Sequence, residues 1–306
     1  MKSSVGYLID RFLKLKEERS AYVIAHYYQR PEVQDVADFV GDSYSMALAA
    51  RETPCETILV AGVDFMAETA VILCPEKTVL TPEPDATCPM ANDITARDIL
   101  KYRERYPDSI VVCYVNTPAE VKAVSDVCCT SSNAAKIIEK MPPEARIFFV
   151  PDHHLGHNIG HRLNRSIDLY RSCCPTHEEV RTGGLLELKQ RYPAAKILVH
   201  PECRPEVVDV ADFAGSTRAI IEYAEASEAD SFIIGTECGI LHPLQKANPR
   251  KEFILATKDL ICPNMKSITL EKMIYSLEHM ETRVMVEESV RLKARIALER
   301  MIEYAT

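Results

Sequence analysis

The chain has 306 residues, 47% apolar and 26% charged, with a net charge of −9. That composition is ordinary for a globular protein, and the length suffices for a sizeable core in two or three domains. Acidic and basic residues are interspersed, so no basic patch points to nucleic acid.

The N-terminal stretch from Met1 to Arg11 contains Lys2, Asp10 and Arg11 and no long apolar run, so it does not read as a signal peptide. The most apolar stretch, from Ile58 to Leu73, is interrupted by Asp64 and Glu68 and is not a membrane span. A cytoplasmic location with no membrane partner is the expectation. Eleven cysteines is a high count. With no export signal a disulfide framework is disfavoured, leaving buried thiols, metal ligands or nucleophiles. Neither CxxC nor CxxxxC spacing occurs, so a metal site has to be assembled from distant parts of the chain.

In chain order the first clear element is a β-branched run over residues 21–25, which reads as a buried strand. It feeds the segment HYYQRPEVQDVADFVGDS, His26 to Ser43, in which Pro31 opens a helix. A helical run over 44–51, a strand over 58–61, a further helical stretch and a short strand follow, and the unit closes on Cys88-Pro89. The pattern then repeats. A strand over 110–113 feeds YVNTPAEVKAVSDVCCTS, Tyr114 to Ser131; a helical run over 132–140 and a strand over 147–150 lead to Cys174-Pro175. A strand over 196–199 feeds HPECRPEVVDVADFAGST, His200 to Thr217; a helical run over 218–224 and a strand over 232–234 lead to Cys262-Pro263.

The three segments align without gaps. Glu32, Glu120 and Glu206 recur, as do Val36, Val124 and Val210, and Asp38, Asp126 and Asp212. The chain therefore reads as an α/β protein: three homologous αβα units, 1–90, 91–176 and 177–265, each with a short mostly parallel sheet, arranged with pseudo-threefold symmetry about a centre. A tail, 266–306, with a short strand near 282–286 and a final amphipathic helix, is expected to pack on the first unit.

The carboxyl ends of the strands then face a common centre, where ligands bind in open α/β sheets. Cys88, Cys174 and Cys262 occupy equivalent places in three units, and each is followed by Pro. One such cysteine is most simply a buried turn residue; three in register point to an iron–sulfur cluster whose fourth iron lacks a protein ligand and can act as a Lewis acid. Cys173 competes with Cys174, but only Cys174 has Pro directly after it. The strand-end residues differ between units, with His26, Tyr114 and His200 at one position and Tyr28, Asn116 and Glu202 two residues on. All are polar or titratable, suited either to capping strand ends or to acid–base work. Ser43, Ser131 and Thr217 read as helix N-caps, places where phosphate or carboxylate also binds.

His153, His154, His157 and His161 read mainly as a solvated helix start; His157 and His161, at i and i+4, leave a zinc site open as a minor alternative. His177, close after Cys174, is the better candidate for the centre. Cys128 and Cys129 read as small buried residues.

The stretches AHYYQRPEVQDVADFVGDS, AGVDFMAE, ATCPMAN, YVNTPAEVK, CTSSNA, VHPECRPEV, GSTRAI, GTECGILH and CPNMK resemble the quinolinate synthase family over nearly the whole chain. The resemblance implies three αβα domains around one [4Fe–4S] cluster. It implies condensation of iminoaspartate with dihydroxyacetone phosphate to quinolinate, with loss of phosphate and two waters, in NAD biosynthesis. By motif, the cluster ligands are Cys88, Cys174 and Cys262. The substrate-facing residues are His26, Tyr28, Ser43, Tyr114, Asn116, Ser131, His177, His200, Glu202, Ser216 and Thr217, and proton transfers fall to Glu202, Tyr28, His200 and Tyr114. An aspartate oxidase or aspartate dehydrogenase is the implied source of iminoaspartate, and a monomer or weak dimer the implied assembly. The C-terminal CxxC cluster of some relatives is missing, so thiol regulation there is not expected. Two rivals remain: a non-catalytic iron–sulfur sensor, which would protect its cluster with four protein ligands, and a hydro-lyase with an open iron, for which no threefold repeat is expected.

Overall fold

A computed structural model describes residues 4–305; residues 1–3 of the first expected unit and residue 306 of the tail lie outside them. Among the described residues the strands form three four-stranded sheets with every pairing parallel. The first contains β1 (Ala21–His26), β2 (Phe39–Gly41), β3 (Thr57–Ala61) and β4 (Thr78–Leu80) in the order β2-β1-β3-β4. The second contains β5 (Ile110–Tyr114), β6 (Val127–Cys129), β7 (Ile147–Val150) and β8 (Asp168–Leu169) in the order β6-β5-β7-β8. The third contains β9 (Lys196–Val199), β10 (Phe213–Ala214), β11 (Ser231–Gly235) and β12 (Glu252–Leu255) in the order β10-β9-β11-β12. One topology thus occurs three times, in agreement with the repeat. The central strands are continuous apolar runs, as parallel strands covered by helices on both faces have to be.

The sequence did not reveal β2, β6 and β10. They are two or three residues long, too short to show alternation, and sit inside segments whose pattern reads as helix. Cys128 and Cys129 lie in β6 and are fully buried.

The repeated Asp has a structural explanation. Asp38, Asp126 and Asp212 each accept the backbone N–H of the first strand of their sheet, Val23, Val111 and Ile197, at 2.8 Å in all three. Each also pairs with a cation: Lys16 at 2.7 Å, Arg103 at 2.6 Å and Lys196 at 3.0 Å. A charged acceptor satisfies a strand donor that the short second strand leaves unpaired, worth about 1.5–3 kcal/mol.

The first two sheets and the tail share one apolar core, whereas the third sheet has a separate cluster on each face. In the tail, Leu270–His279 packs on the first unit's helix Ser4–Glu18, but the final helix Glu288–Ala305 lies mainly on β6 and the short helix Ala119–Lys122 of the second unit, while touching Asp64–Leu73 of the first. The tail therefore spans two units rather than the first alone. The strand expected near 282–286 is reduced to an antiparallel bridge between Leu80 and Arg283, with Thr282 and Val284 bonded to Thr81 and Val79 on the edge of β4.

Candidate active site

The carboxyl ends of β1, β5 and β9 open into one cavity of about 110 Å³. It is lined by His26, Tyr28, Ser43, Tyr114, Asn116, Ser131, His177, His200, Glu202 and Thr217 together with Cys88, Cys174 and Cys262. Three thiols from distant positions and polar groups from three sheets thus share one chamber.

The backbone just past β1 and past β9 is built alike. The N–H of Tyr28 donates to His26 Nδ1 (3.1 Å), and that of Glu202 to His200 Nδ1 (3.2 Å). Because Nδ1 accepts, the proton of each neutral ring sits on Nε2. Burial pushes both rings down to about 3, so they are neutral near pH 7. The Nε2 of His200 then donates to Ser131 Oγ over 3.2 Å.

Glu202 is 3% exposed and surrounded by donors. Tyr114 donates its hydroxyl to Oε1 (2.5 Å), and His177 Nδ1 lies 2.7 Å from Oε2. Burial pushes the Glu202 carboxyl up, but the His200 and His177 rings and the Tyr114 hydroxyl outweigh it and hold Glu202 below the usual carboxylate range. Burial, followed by the charge of Glu202, raises Tyr28 and Tyr114 well above the usual phenol value, so both are proton donors rather than phenolates. Tyr28 reaches the third sheet, its hydroxyl 2.7 Å from Thr236 Oγ1 and accepting from Thr217 Oγ1 at 3.0 Å. His177 Nε2 meets the same Thr236 hydroxyl at 2.8 Å and stacks on His200 with centroids 4.6 Å apart.

The capping assignments need correction. The cap of Ser43–Glu52 is Asp42, whose side chain accepts from Ser45 N, and the cap of Thr217–Ala226 is Ser216, whose hydroxyl accepts from Ala219 N. Ser43 and Thr217 are the first helical residues instead. Ser131 lies in a turn, and Asn133 precedes the helix Ala134–Glu139, its Oδ1 accepting from Thr130 N. Asp42 and Ser216 thus take the capping in two of the helices, and Ser43, Ser131 and Thr217 line the cavity. Ser216, expected to face substrate, does not line the cavity, because its hydroxyl is committed to the cap.

The three Cys-Pro thiols fit an iron–sulfur cluster. Cys88 and Cys262 occupy N-cap positions with Pro next, before the short helices Pro89–Asn92 and Pro263–Lys266. Backbone N–H groups favour the thiolate in each case: Ala91 for Cys88, His177 for Cys174, and Met265 with Asn264 for Cys262. Amide donors of this kind stabilise metal-bound sulfur. Burial pushes Cys88 up to about 12 and also raises Cys174 and Cys262, so the thiols keep their protons until a bound cation displaces them. Cys173 is not among the cavity-lining residues.

Several residues at this centre were not singled out in the sequence. Thr236 joins Tyr28 to His177, and Glu237, fully buried, lines the cavity and pairs with Lys266 Nζ at 3.0 Å. Asp152, also fully buried, is raised well above the usual range by burial and by the charge of Glu202. Register could have found them. Ala61, Val150 and Gly235 pair with equivalent residues of the first strands, and Asp152 and Glu237 both stand two residues past that position.

Two other groups carry metal-ligating side chains. Among the described residues His157 and His161, stacked at 6.4 Å on the helix His153–Arg162, have no third donor grouped with them. His154, Cys173 and Glu178 do group, but Arg204 lies 2.6 Å from Glu178 Oε1, so the carboxylate is neutralised in an ion-pair chain. No helix is long and apolar enough to cross a membrane among the described residues.

The family model described as "Quinolinate synthetase A protein" (NadA) matches residues 10–303. A quinolinate synthase of Methanosarcina barkeri is 46% identical over 295 residues, covering 96% of this chain and 97% of that one. One from Caldicellulosiruptor bescii is 46% identical over 301 residues, covering 98% and 99%, and one from Dehalococcoides mccartyi is 46% identical over 292 residues, covering 95% and 96%. With a match of this length and identity, arriving at a fold and a chamber already read from the residues, the chain belongs to the quinolinate synthase family.

Proposed function

We propose that this enzyme condenses iminoaspartate with dihydroxyacetone phosphate and closes the product to quinolinate, releasing phosphate and two waters. One observation carries the reading: three Cys-Pro thiols from three repeated units share a chamber with an ionised Glu202, two phenol donors and two neutral histidines. An electron-transfer protein has no use for that acid–base set, whereas a reaction with several proton transfers needs it.

Cys88, Cys174 and Cys262 would hold a [4Fe–4S] cluster, which when bound supplies Lewis acidity for loss of a hydroxyl group as water. The remaining chemistry falls to the chain. The hydroxyls of Ser43, Ser131 and Thr217, the amide of Asn116 and the Nε2–H of His26 receive the phosphate and carboxylates of the substrates. Ser43 and Thr217 stand at the first turns of ten-residue helices, where unpaired amides favour anions even in a chain of net charge −9. Glu202 takes a proton from carbon in the isomerisation and ring closure, and His177 at 2.7 Å orients it. Tyr114, donating to Glu202, returns that proton to a departing oxygen. Tyr28, aligned by Thr236 and Thr217, donates its proton to the oxygen of the carbonyl whose carbon bonds the nitrogen, so that this oxygen can leave as water. The chamber walls keep bulk water from the hydrolysable imines.

The test is anaerobic purification and iron loading, followed by supply of both substrates. Quinolinate should form with one phosphate released per product. A loaded protein that makes no quinolinate would sink the assignment.

A further inference from the structure

A second set of residues repeats through the three units and surrounds the three cysteines. Asp64 opens the helix Asp64–Leu73, Asp152 caps His153–Arg162, and Glu237 caps the turn Cys238–Ile240. All three follow the third strand of their sheet. In each, one carboxylate oxygen takes an amide at the start of its own helical segment: Phe65 N at 2.8 Å, Leu155 N at 2.7 Å and Gly239 N at 2.6 Å. The same carboxylate also faces the backbone N–H of its unit's Cys-Pro cysteine. Cys262 N donates to Glu237 Oε1 over 3.0 Å, and the amides of Cys174 and Cys88 favour the charged forms of Asp152 and Asp64.

The surrounding backbone repeats as well. Asp64 N donates to Ala86 O (2.9 Å), His153 N to Ser172 O (2.7 Å) and Cys238 N to Leu260 O (2.8 Å), each acceptor standing two residues before its cysteine. On the far side the cysteine carbonyl accepts from the residue four positions on, Asn92 N at 3.0 Å, Glu178 N at 3.0 Å and Lys266 N at 3.1 Å. Each Cys-Pro loop is therefore tied to one helix start by a backbone bond, with a carboxylate beside the cysteine amide and, in the third unit, bonded to it directly.

We propose that Asp64, Asp152 and Glu237 are positioning residues for the cluster, one per unit, which fix the backbone of Cys88, Cys174 and Cys262 and so aim the three sulfurs at one point. The inference rests on the cluster reading above. The carboxylate holds the cysteine amide behind the loop, which leaves the following amides, those of Ala91, His177 and Met265, to face the sulfur. An acid suits the place because its two oxygens can each accept, so one side chain can join two segments. Glu237 extends the clamp to the substrate side: its partner Lys266 donates to Tyr28 O over 2.5 Å. This set differs from Asp38, Asp126 and Asp212, which repeat just as strictly but hold the first strands and face none of the cysteines.

That contrast supplies the control. The full chain would be loaded with iron anaerobically as Asp64→Ala, Asp152→Ala and Glu237→Ala, as Asp64→Asn, Asp152→Asn and Glu237→Gln, and as Asp126→Ala. Two quantities are read: the rate at which a ferrous chelator bleaches the cluster, and the urea midpoint of the iron-free chain. The Ala variants should bleach about 10–100-fold faster than the parent, the usual scale for a residue supporting a metal ligand. The Asn and Gln variants keep an acceptor oxygen and should fall between the Ala variants and the parent. Asp126→Ala should lower the urea midpoint and bleach at the parent rate. Parent-like bleaching in the Ala variants overturns the proposal, as does equal acceleration by Asp126→Ala. Should an Ala variant fail to fold, its Asn or Gln counterpart decides: faster bleaching at an unchanged urea midpoint supports the role, and parental bleaching refutes it. Iron retained undiminished in Cys88→Ala would instead bring down the cluster reading itself.

Discussion

Gly239 offers a steric test of how the third unit is seated on the first. A methyl group added there meets Tyr28 Cα and carbonyl carbon at 2.7 Å and Tyr27 O at 2.8 Å, all backbone atoms. No described glycine has a positive φ, so the effect of Gly239→Ala is steric and not conformational. Backbone cannot swing aside as a side chain does, so Tyr28 has to retreat by about 0.7 Å to reach an ordinary contact. Its hydroxyl bonds to Thr236 and Thr217, at 2.7 and 3.0 Å, then stretch toward or past hydrogen-bond range. Overpacking of this kind costs about 1–3 kcal/mol, and each weakened bond adds about 1 kcal/mol. Displacement of a reacting group by most of an ångström costs about 10²-fold in rate. The assay is kcat for quinolinate formation with a urea titration alongside, and Gly183→Ala is the control, since nothing lies within 4 Å of a Cβ there. Equal kcat and equal urea midpoints for the two variants would refute the argument that Tyr28 depends on this approach.

Cys174→Ala should lose iron on anaerobic loading while Cys173→Ala keeps it; the reverse result in an iron assay would move the ligand by one residue. Glu202→Gln should retain iron and lose about 10²–10⁴-fold in kcat, and an iron-free Glu202→Gln protein would make the residue a support for the fold or the cluster. Lys266→Met leaves the fully buried Glu237 without its cation, so the iron-free chain should lose about 3–5 kcal/mol in a urea titration; a change under 1 kcal/mol would show that the pair is not a stabilising contact. Burial pushes Asp212 up, but the Ile197 N–H and Lys196 outweigh it and hold its carboxyl below the usual value. Its contribution is therefore present above the ordinary carboxylate range and lost as pH falls through that lowered value. Asp212→Asn should cost stability at pH 7 and lessen the loss of stability on acidification, so parallel stability–pH curves for variant and parent would contradict this.

The sequence made the units legible because each carries long, specific landmarks: the eighteen-residue segment, the apolar third strand and the Cys-Pro pair. Identical side chains at identical offsets survive inspection without any structure. Strands of two or three residues do not, because a period of two cannot show itself in so few positions, and β2, β6 and β10 were hidden for that reason. The caps were displaced by one residue in two helices, where Asp42 precedes Ser43 and Ser216 precedes Thr217, and either of two adjacent polar residues can cap. The strand-end set was readable as a group of polar residues just past buried strands. Which of them touch, and that Thr236 joins Tyr28 to His177, depends on how the third sheet sits against the first two, and no periodicity records that. The acids escaped notice because Asp64 is offset by one from Asp152 and Glu237, a shift that breaks a gapless alignment while leaving the carboxylate in place to reach the cysteine amide.

The repeat also explains where the units were free to diverge. On the proposed cluster reading a sulfur ligand would share one object with two others, which calls for the same backbone in all three Cys-Pro loops, and the bonds around Ala86, Ser172 and Leu260 are matched to within 0.2 Å. A strand-end side chain shares nothing with its counterparts. His26, Tyr114 and His200 follow equivalent strand positions, yet two are neutral rings and one is a phenol; two residues on stand Tyr28, Asn116 and Glu202, a donor, an amide and a carboxylate. Even the helper bond is kept only where the ring needs it, since Nδ1 accepts from Tyr28 N and Glu202 N in the two histidine units, and a phenol has no such acceptor to orient. Three copies of one scaffold therefore present three different reagents to a single centre. Substitutions that exchange reagents between units, such as Tyr114→His, are expected to fold and fail in catalysis, because the scaffold accepts either residue there and the reaction does not.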